Sequence, residues 1–256
     1  MKKAKNPLVV GNWKMNPLSV SLSFKLAKEI KSLLSKKNPV TVVIAPPALY
    51  LETVKKVANG SHLFTLGAQN AYYEKLGAHT GEISIPMLKD IGVSHVIVGH
   101  SERREKGETD VAVNQKVLAV IKEGLIAVLC IGERARDSAG NYLTFIEQQI
   151  RSSLREVGRT KLEQVVIAYE PVWAIGAGVS ATPEDVREMR IFIEKVLSDI
   201  FGRNYASKVR ILYGGSVSEK NAKEIFVQGT VDGFLVGGAS LHPREFVHII
   251  KNVSSI

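Results

Sequence analysis

The pattern that decides the predicted fold is seen in one short stretch, VVIAYEP at residues 165–171. It begins with a run of apolar and β-branched residues that is too short for a helix, and a carboxylate and a proline follow at once. Such a run is typical of a strand buried on both faces, and the residues after it are typical of a loop. The stretch predicts a buried strand with Glu170 at its end.

Runs of the same kind recur from one end of the chain to the other. They are Leu8–Gly11, Val40–Ala45, Phe64–Ala68, His95–Gly99, Ala127–Ile131, Val165–Ala168, Val209–Tyr213 and Gly233–Val236. Between them lie longer stretches, such as Ser23–Leu34 and Val111–Ile121, in which apolar residues return every three or four positions, as in amphipathic helices. Eight such strand–helix units predict a closed (β/α)₈ barrel that forms a single domain over residues 1–256. An open doubly wound sheet is the alternative, because periodicity alone does not show closure.

Size and composition fit a folded globular protein. The chain has 256 residues, 45% hydrophobic and 23% charged, which suits one barrel or two small domains. Its net charge of +9 comes from basic residues scattered among acidic ones, without the basic and aromatic clusters of nucleic-acid-binding proteins. The sequence contains no run of eighteen apolar residues, and its first residues lead us to expect no cleavable leader. We therefore expect a cytoplasmic protein that binds neither nucleic acid nor membranes.

Cys130 is the only cysteine of the chain. One cysteine forms no internal disulfide and no cysteine zinc cluster. It lies within the apolar run VLCI at residues 128–131, so we interpret it as a small buried hydrophobic residue rather than a nucleophile.

Candidate functional residues lie just after the predicted strands, because barrels of this kind carry their chemistry where strands end and loops begin. Polar side chains and glycine pairs occupy these positions: Asn12 and Lys14, Gln69 and Asn70, His100 to Glu102, Glu133 and Arg134, Glu170, Gly214 to Ser216, and Gly237 and Gly238. Such a set is more typical of an active site than of ordinary turns.

Glu170 is the candidate base and His100 the candidate electrophile. Apolar neighbours such as Trp173 and Ile175 raise the pKa of a carboxylate once a loop covers it, and this makes it a stronger base. The position alone fits a solvated loop glutamate equally well. Residues 101–104 are typical of the first turn of a helix, whose N–H groups disfavour a charged imidazole. We therefore expect His100 to be neutral and to donate a hydrogen bond.

Lys14 and two glycine pairs predict a site for an anion. Strand alternation allows Asn12 and Lys14 to point into the barrel mouth together, where a cation neutralises a phosphate or a developing enediolate. The glycine pairs at 214–215 and 237–238 follow the seventh and eighth runs, where barrels often bind phosphate through backbone N–H groups.

The segment GAGVSATPED at residues 176–185 is interpreted as a lid that leads into a helix. Thr182 is a candidate N-cap, Pro183 suits the first helical position, and acidic residues follow in the first turn. Glycines this close to Glu170 suit a loop that closes over a substrate, although an ordinary strand-to-helix connection fits as well.

Six motifs at the strand ends resemble those of the triosephosphate isomerase family. They are GNWKMN at 11–16, GHSERR at 99–104, CIGE at 130–133, AYEPVWAIG at 168–176, YGGSV at 213–217 and DGFLVGGA at 232–239. The resemblance runs from the first strand to the last and so covers essentially the whole chain. It implies a closed (β/α)₈ TIM barrel that interconverts dihydroxyacetone phosphate and D-glyceraldehyde 3-phosphate in glycolysis and gluconeogenesis, without a metal or an organic cofactor.

The resemblance also implies roles for single residues. Glu170 would move a proton between two carbons of an enediol(ate) while neutral His100 polarises the carbonyl, a pairing for which this family is itself a standard illustration. Asn12 and Lys14 would hold and neutralise the substrate. Its phosphate would be bound through backbone N–H groups of four residues, Gly176, Ser216, Gly237 and Gly238.

Self-association is implied by the same resemblance. In the family, the loop that corresponds to residues 69–84 reaches into a neighbouring subunit. Thr80 would then lie near Asn12 and Lys14 across the interface, and Glu102 would lie close to the catalytic lysine. A homodimer or a larger assembly of identical chains is expected.

Two segments depart from the family's pattern. Ala177, Val179 and Ser180 replace residues of the usual Thr-Gly-Lys-Thr lid tip, and His79 stands where phenylalanine or tyrosine is common in the interface loop. Neither departure removes a chemical group from the predicted site. They bear instead on how the lid opens and on how tightly the subunits associate.

Two other functions remain open. An aldose–ketose isomerase of larger phosphosugars would turn over pentoses or longer substrates. A non-catalytic barrel that only binds a ligand would carry a lesion at Asn12, Lys14, His100 or Glu170, and the sequence retains all four.

Overall fold

A computed structural model describes residues 5–174 and 181–254 of the chain. Its eight parallel strands close into a barrel in which each strand pairs with its neighbours in sequence and β8 pairs with β1. The strands are β1 Leu8–Asn12, β2 Thr41–Ala45, β3 Thr65–Ala68, β4 Val93–Val98, β5 Ile126–Ile131, β6 Val165–Tyr169, β7 Arg210–Tyr213 and β8 Gly233–Val236. The predicted closed (β/α)₈ barrel is confirmed, and the alternative of an open sheet is wrong.

Helices surround the barrel and alternate with the strands. Within the described residues they are α1 Val20–Leu33, α2 Leu51–Ala58, α3 Ile85–Ile91, α4 Ser101–Glu105, α5 Asp110–Lys122, α6 Asn141–Ser153, α7 Pro183–Phe201, α8 Arg203–Ala206, α9 Ala222–Gln228 and α10 Pro243–Ser254. The two stretches with helical periodicity, Ser23–Leu34 and Val111–Ile121, are confirmed as parts of α1 and α5. No helix in this part of the chain is long and apolar enough to cross a membrane.

The start of α7 shows how the sequence sets a boundary. The Thr182 side chain accepts a hydrogen bond from the backbone N–H of Asp185, and the Asp185 carboxylate accepts one from the backbone N–H of Thr182. This reciprocal capping satisfies two N–H groups that a helix leaves unpaired, and Pro183 at the first position lacks such a group. The helix start predicted for this segment is confirmed.

The hydrophobic core has two layers because each strand buries both faces. Alternate residues of the strands point into the barrel and form one cluster, which includes Val10, Ile97, Val128 and Leu212. The residues between them pack outward against the helices in a second and larger cluster. This double burial explains why the strands appear in the sequence as continuous apolar runs. Cys130 belongs to the inner cluster and is fully buried, as predicted.

The amino-terminal end of the barrel contains a buried histidine and a half-buried arginine. Strand alternation places His95 on the same face of β4 as Ile97, and Arg210 on the same face of β7 as Leu212. The His95 ring lies 2.8 Å from the Ser94 hydroxyl, measured from Nδ1 to Oγ. Burial, followed by the charge of Arg210, lowers the pKa of His95 to about 4. His95 is therefore a neutral packing residue.

Candidate active site

The carboxyl ends of the strands surround a cavity of about 230 Å³. Its described lining residues are Asn12, Lys14, His100, Gly214, Gly215, Ser216, Val217, Leu235, Gly237, Gly238 and Ala239. They come from the loops after β1, β4, β7 and β8, which are distant in sequence and meet because the sheet is closed. The cavity thus brings together all but a few of the residues predicted for the site.

Four predicted site residues are not among the described residues that line this cavity: Thr80, Glu102, Glu170 and Gly176. Thr80 lies exposed on the loop 69–84 and is not among the described residues that line the cavity. Gly176 and the lid positions Ala177, Val179 and Ser180 lie outside the described residues. Glu170 lines another cavity instead, of about 380 Å³.

Glu170 is almost completely buried, with 1% of its surface exposed. One carboxylate oxygen, Oε2, accepts a hydrogen bond of 2.9 Å from the backbone N–H of Ser101. The other, Oε1, lies 3.2 Å from Nε2 of His100 and has no hydrogen bond within the described part of the chain. The carboxylate therefore sits beside the cavity, with one oxygen free to take up a proton.

His100 caps the short helix α4, and its ring nitrogens are in different environments. Nδ1 accepts a hydrogen bond of 3.2 Å from the backbone N–H of Glu102. A nitrogen that accepts from an N–H carries no proton, so this contact assigns the proton of the ring to Nε2. The ring is neutral, and Nε2 can donate beside both Glu170 and the cavity.

Lys14 supplies the cation of the cavity. Its ammonium group pairs with the Glu102 carboxylate, with 2.6 Å between Nζ and Oε1. Burial alone would raise the pKa of Glu102, but the hydrogen bond and the charge of Lys14 outweigh it and hold that pKa below its ordinary value. Glu102 thus remains ionised and holds Lys14 at the cavity. The predicted proximity of Glu102 to Lys14 is observed within one chain.

Glycines stand where other atoms approach closely around the site. A Cβ atom on Gly132 would lie 1.8 Å from the carbonyl oxygen of Glu170, and one on Gly215 would lie 2.3 Å from the Tyr213 hydroxyl. Gly237 lies against the Lys14 side chain, where a Cβ would be 3.3 Å from Cε. Larger residues at these positions would displace the base or narrow the cavity.

An ion-pair network that the sequence did not reveal joins the two sides of the segment 175–180. The buried Glu133 accepts hydrogen bonds from Tyr169, Trp173 and Arg136 at 2.7, 2.9 and 3.0 Å. Arg136 also donates to the Asp185 carboxylate at 2.8 Å, at the start of α7. The strand-end position of Glu133 was a signal, but no pattern identified Arg136, because its partner Asp185 lies 49 positions further along the chain.

The cavity has the donors of an anion site rather than of a metal site. Cations and backbone N–H groups of glycine-rich loops bind phosphates, and Lys14 and two glycine pairs line this cavity. In the described ranges, no group of three or more His, Cys, Asp or Glu side chains is placed to hold a metal ion.

A closed (β/α)₈ barrel with a buried glutamate, a neutral histidine and a lysine beside a glycine-lined cavity defines a barrel enzyme suited to proton transfer on a small anionic substrate. Comparison with known proteins then specifies the family. The family model described as Triosephosphate isomerase matches residues 7–253. The chain belongs to the triosephosphate isomerase family.

Individual relatives match over nearly their whole length. The chain is 45% identical to the triosephosphate isomerase of Carboxydothermus hydrogenoformans over 249 residues, which cover 96% of this chain and 98% of the relative. It is 45% identical to that of Chloroherpeton thalassium, with coverages of 95% and 97%. It is 41% identical to that of Geotalea uraniireducens, with coverages of 96% and 98%.

Proposed function

We propose that the protein interconverts dihydroxyacetone phosphate and D-glyceraldehyde 3-phosphate, the reaction for which its relatives are named. The proposed mechanism rests on one observation. The Glu170 carboxylate lies 3.2 Å from Nε2 of neutral His100, beside a cavity lined by Lys14 and glycines. The reaction is a step of glycolysis and gluconeogenesis, and we propose that it takes place in the cytoplasm.

In this mechanism Glu170 takes a proton from the carbon next to the carbonyl and returns it to the neighbouring carbon. The N–H at Nε2 of His100 donates to the carbonyl oxygen and stabilises the charge that develops there. His100 then moves the hydroxyl proton from one oxygen of the enediol(ate) to the other, so that the carbonyl forms again on the neighbouring carbon. Lys14 adds a positive charge beside the enediolate, and Asn12 orients the substrate. No metal or organic cofactor takes part in these steps.

The carboxylate must move for the reaction to occur. Glu170 now accepts a hydrogen bond from Ser101 and does not line the 230 Å³ cavity. We propose that it leaves the Ser101 N–H and turns past His100 when substrate binds, because a base must come within hydrogen-bonding distance of the carbon acid. The phosphate would be held by backbone N–H groups of Ser216, Gly237 and Gly238, and by Gly176.

A coupled assay that starts from each triose phosphate in turn tests the proposed function. We expect turnover in both directions and competitive inhibition by 2-phosphoglycolate, whose carboxylate imitates the enediolate. Ribose 5-phosphate should not be isomerised. Turnover of the pentose without turnover of glyceraldehyde 3-phosphate would favour an isomerase of larger sugars, and binding without any turnover would favour a non-catalytic barrel.

We also propose a homodimer or a larger assembly of identical chains through the loop 69–84, with Thr80 near Asn12 and Lys14 of a neighbouring copy. Large apolar side chains support this: Leu76 on that loop is 83% exposed, and Met15 and Leu18 next to the site are 89% and 90% exposed. Light scattering should give at least twice the mass of one chain. A fully active monomer at assay concentration would refute the proposal.

A further inference from the structure

The backbone of Lys14 has an unusual conformation. Its φ angle is 50°, in the left-handed region that side chains other than glycine rarely adopt. A residue keeps such a conformation only where surrounding contacts hold it. The structure therefore raises the question of which contacts fix Lys14, the cation of the cavity.

Two side chains hold the polar backbone groups of Lys14. Its N–H donates to the Asn12 side chain at 3.0 Å. Its carbonyl oxygen accepts a hydrogen bond of 2.8 Å from the side-chain amide of Gln69, and the same nitrogen of Gln69 donates to the carbonyl of Ala45 at 2.9 Å. Both partners are carbonyl oxygens, so the amide NH₂ rather than the amide oxygen must face them.

These contacts join three neighbouring strand ends. Asn12 ends β1, Ala45 ends β2, and Gln69 follows β3 directly. The backbone N–H of Trp13 also donates to the Ala45 carbonyl, at 3.1 Å, so this oxygen accepts one bond from the loop after β1 and one from Gln69 after β3. The half-buried Gln69 therefore fixes the loop that carries Lys14 to the adjoining strand.

We propose that Gln69 is a positioning residue, which keeps Lys14 in its left-handed conformation and so sets the place of the ammonium group in the cavity. The proposal rests on the proposed function of that cavity. Gln69 does not line the cavity among the described residues, so it acts through the Lys14 backbone rather than on the substrate. Without its two donated bonds, the loop can relax to an ordinary conformation and withdraw Nζ.

Gln69→Met tests this inference, because methionine has nearly the same length but donates no hydrogen bond. We expect kcat/KM to fall about 10- to 100-fold and binding of 2-phosphoglycolate to weaken, since the loss of two modest hydrogen bonds amounts to roughly this factor. Gln69→Asn, which keeps the amide but retracts it, is the second variant. Gln115→Met is the matched control, because Gln115 is exposed on α5 away from the site.

A double-mutant cycle with Lys14→Met separates positioning from a general structural role. If Gln69 acts through Lys14, Gln69→Met should have almost no further effect on kcat/KM when Lys14 is already replaced. Equal effects in both backgrounds, or a lower melting temperature with unchanged kcat/KM, would overturn the inference. Absence of isomerase activity in the unaltered protein would instead refute the proposed function, while the inhibitor titration still reports on Gln69.

Discussion

Strand β4 carries a buried histidine at each end of the barrel. His95 lies near its amino end and His100 directly after its carboxyl end, with 5% and 8% of their surfaces exposed. Burial and the charge of Arg210 keep His95 neutral, and its Nδ1 lies against Ser94. His100 is neutral because a helix N–H occupies Nδ1, which leaves the Nε2 proton beside Glu170 and the cavity.

The comparison shows that burial and neutrality do not identify a functional histidine. Both rings are buried and neutral. Only His100 presents a donor to a cavity that also contains a cation, and only its ring lies beside a carboxylate oxygen without a hydrogen bond among the described residues. The amino-terminal end of the barrel should therefore affect stability, and the carboxyl-terminal end should affect rate. Three substitutions test this division.

The largest effect is expected from Glu170→Asp. The shorter side chain withdraws the base by one methylene, and proton transfer depends steeply on geometry, so kcat should fall by about 10³-fold with a smaller change in KM. Initial rates in both directions of the coupled assay measure it. Retention of near-normal kcat would show that Glu170 is not the base.

His100→Gln is expected to lower kcat by about 10²- to 10³-fold, because an amide donor polarises the carbonyl but does not relay a proton. The same substitution at the other end, His95→Gln, is its control and should leave kcat within a few-fold of the original. The comparison fails if both variants lose activity to the same extent while both remain folded by circular dichroism.

The division between the two ends also shows what the sequence could predict. The strands were identified to within two residues because a strand buried on both faces is a continuous apolar run, as at Val165–Tyr169. Asn12, Lys14, His100 and Glu170 were identified because chemistry in barrels follows strand ends. Closure was predicted from the number of strand–helix units and from the family resemblance, because periodicity alone does not show that β8 pairs with β1.

Contacts between side chains far apart in sequence were equally hidden. Gln69 reaches the carbonyl of Lys14 across 55 positions, and Arg136 reaches Asp185 across 49. Neither residue follows a periodic pattern, because a long side chain can reach partners on other strands. The sequence thus located the groups that we propose to meet the substrate, and Gln69 as a strand-end residue, but it did not show which side chains hold which groups.

The smallest effect concerns His95 and appears in stability rather than rate. The pKa of His95 falls from its ordinary 6.5 to about 4 on folding, so between these values the unfolded chain binds more protons than the folded one. Stability is therefore complete above pH 6.5 and is lost as the pH falls toward 4. From pH 8 to pH 5 this single group should lower the free energy of unfolding by about 2 kcal/mol.

Urea titrations of the unaltered protein and of His95→Gln, at one protein concentration and several pH values, isolate this effect. Other titrating groups are common to both proteins, so the difference between their free energies of unfolding should change by about 2 kcal/mol over that range, with the variant losing less stability in acid. A constant difference would mean that the folded protein accommodates a charged His95 despite Arg210. Burial would then not explain why His95 and His100 differ in function. Only the contact of His100 with the helix N–H would distinguish the two histidines.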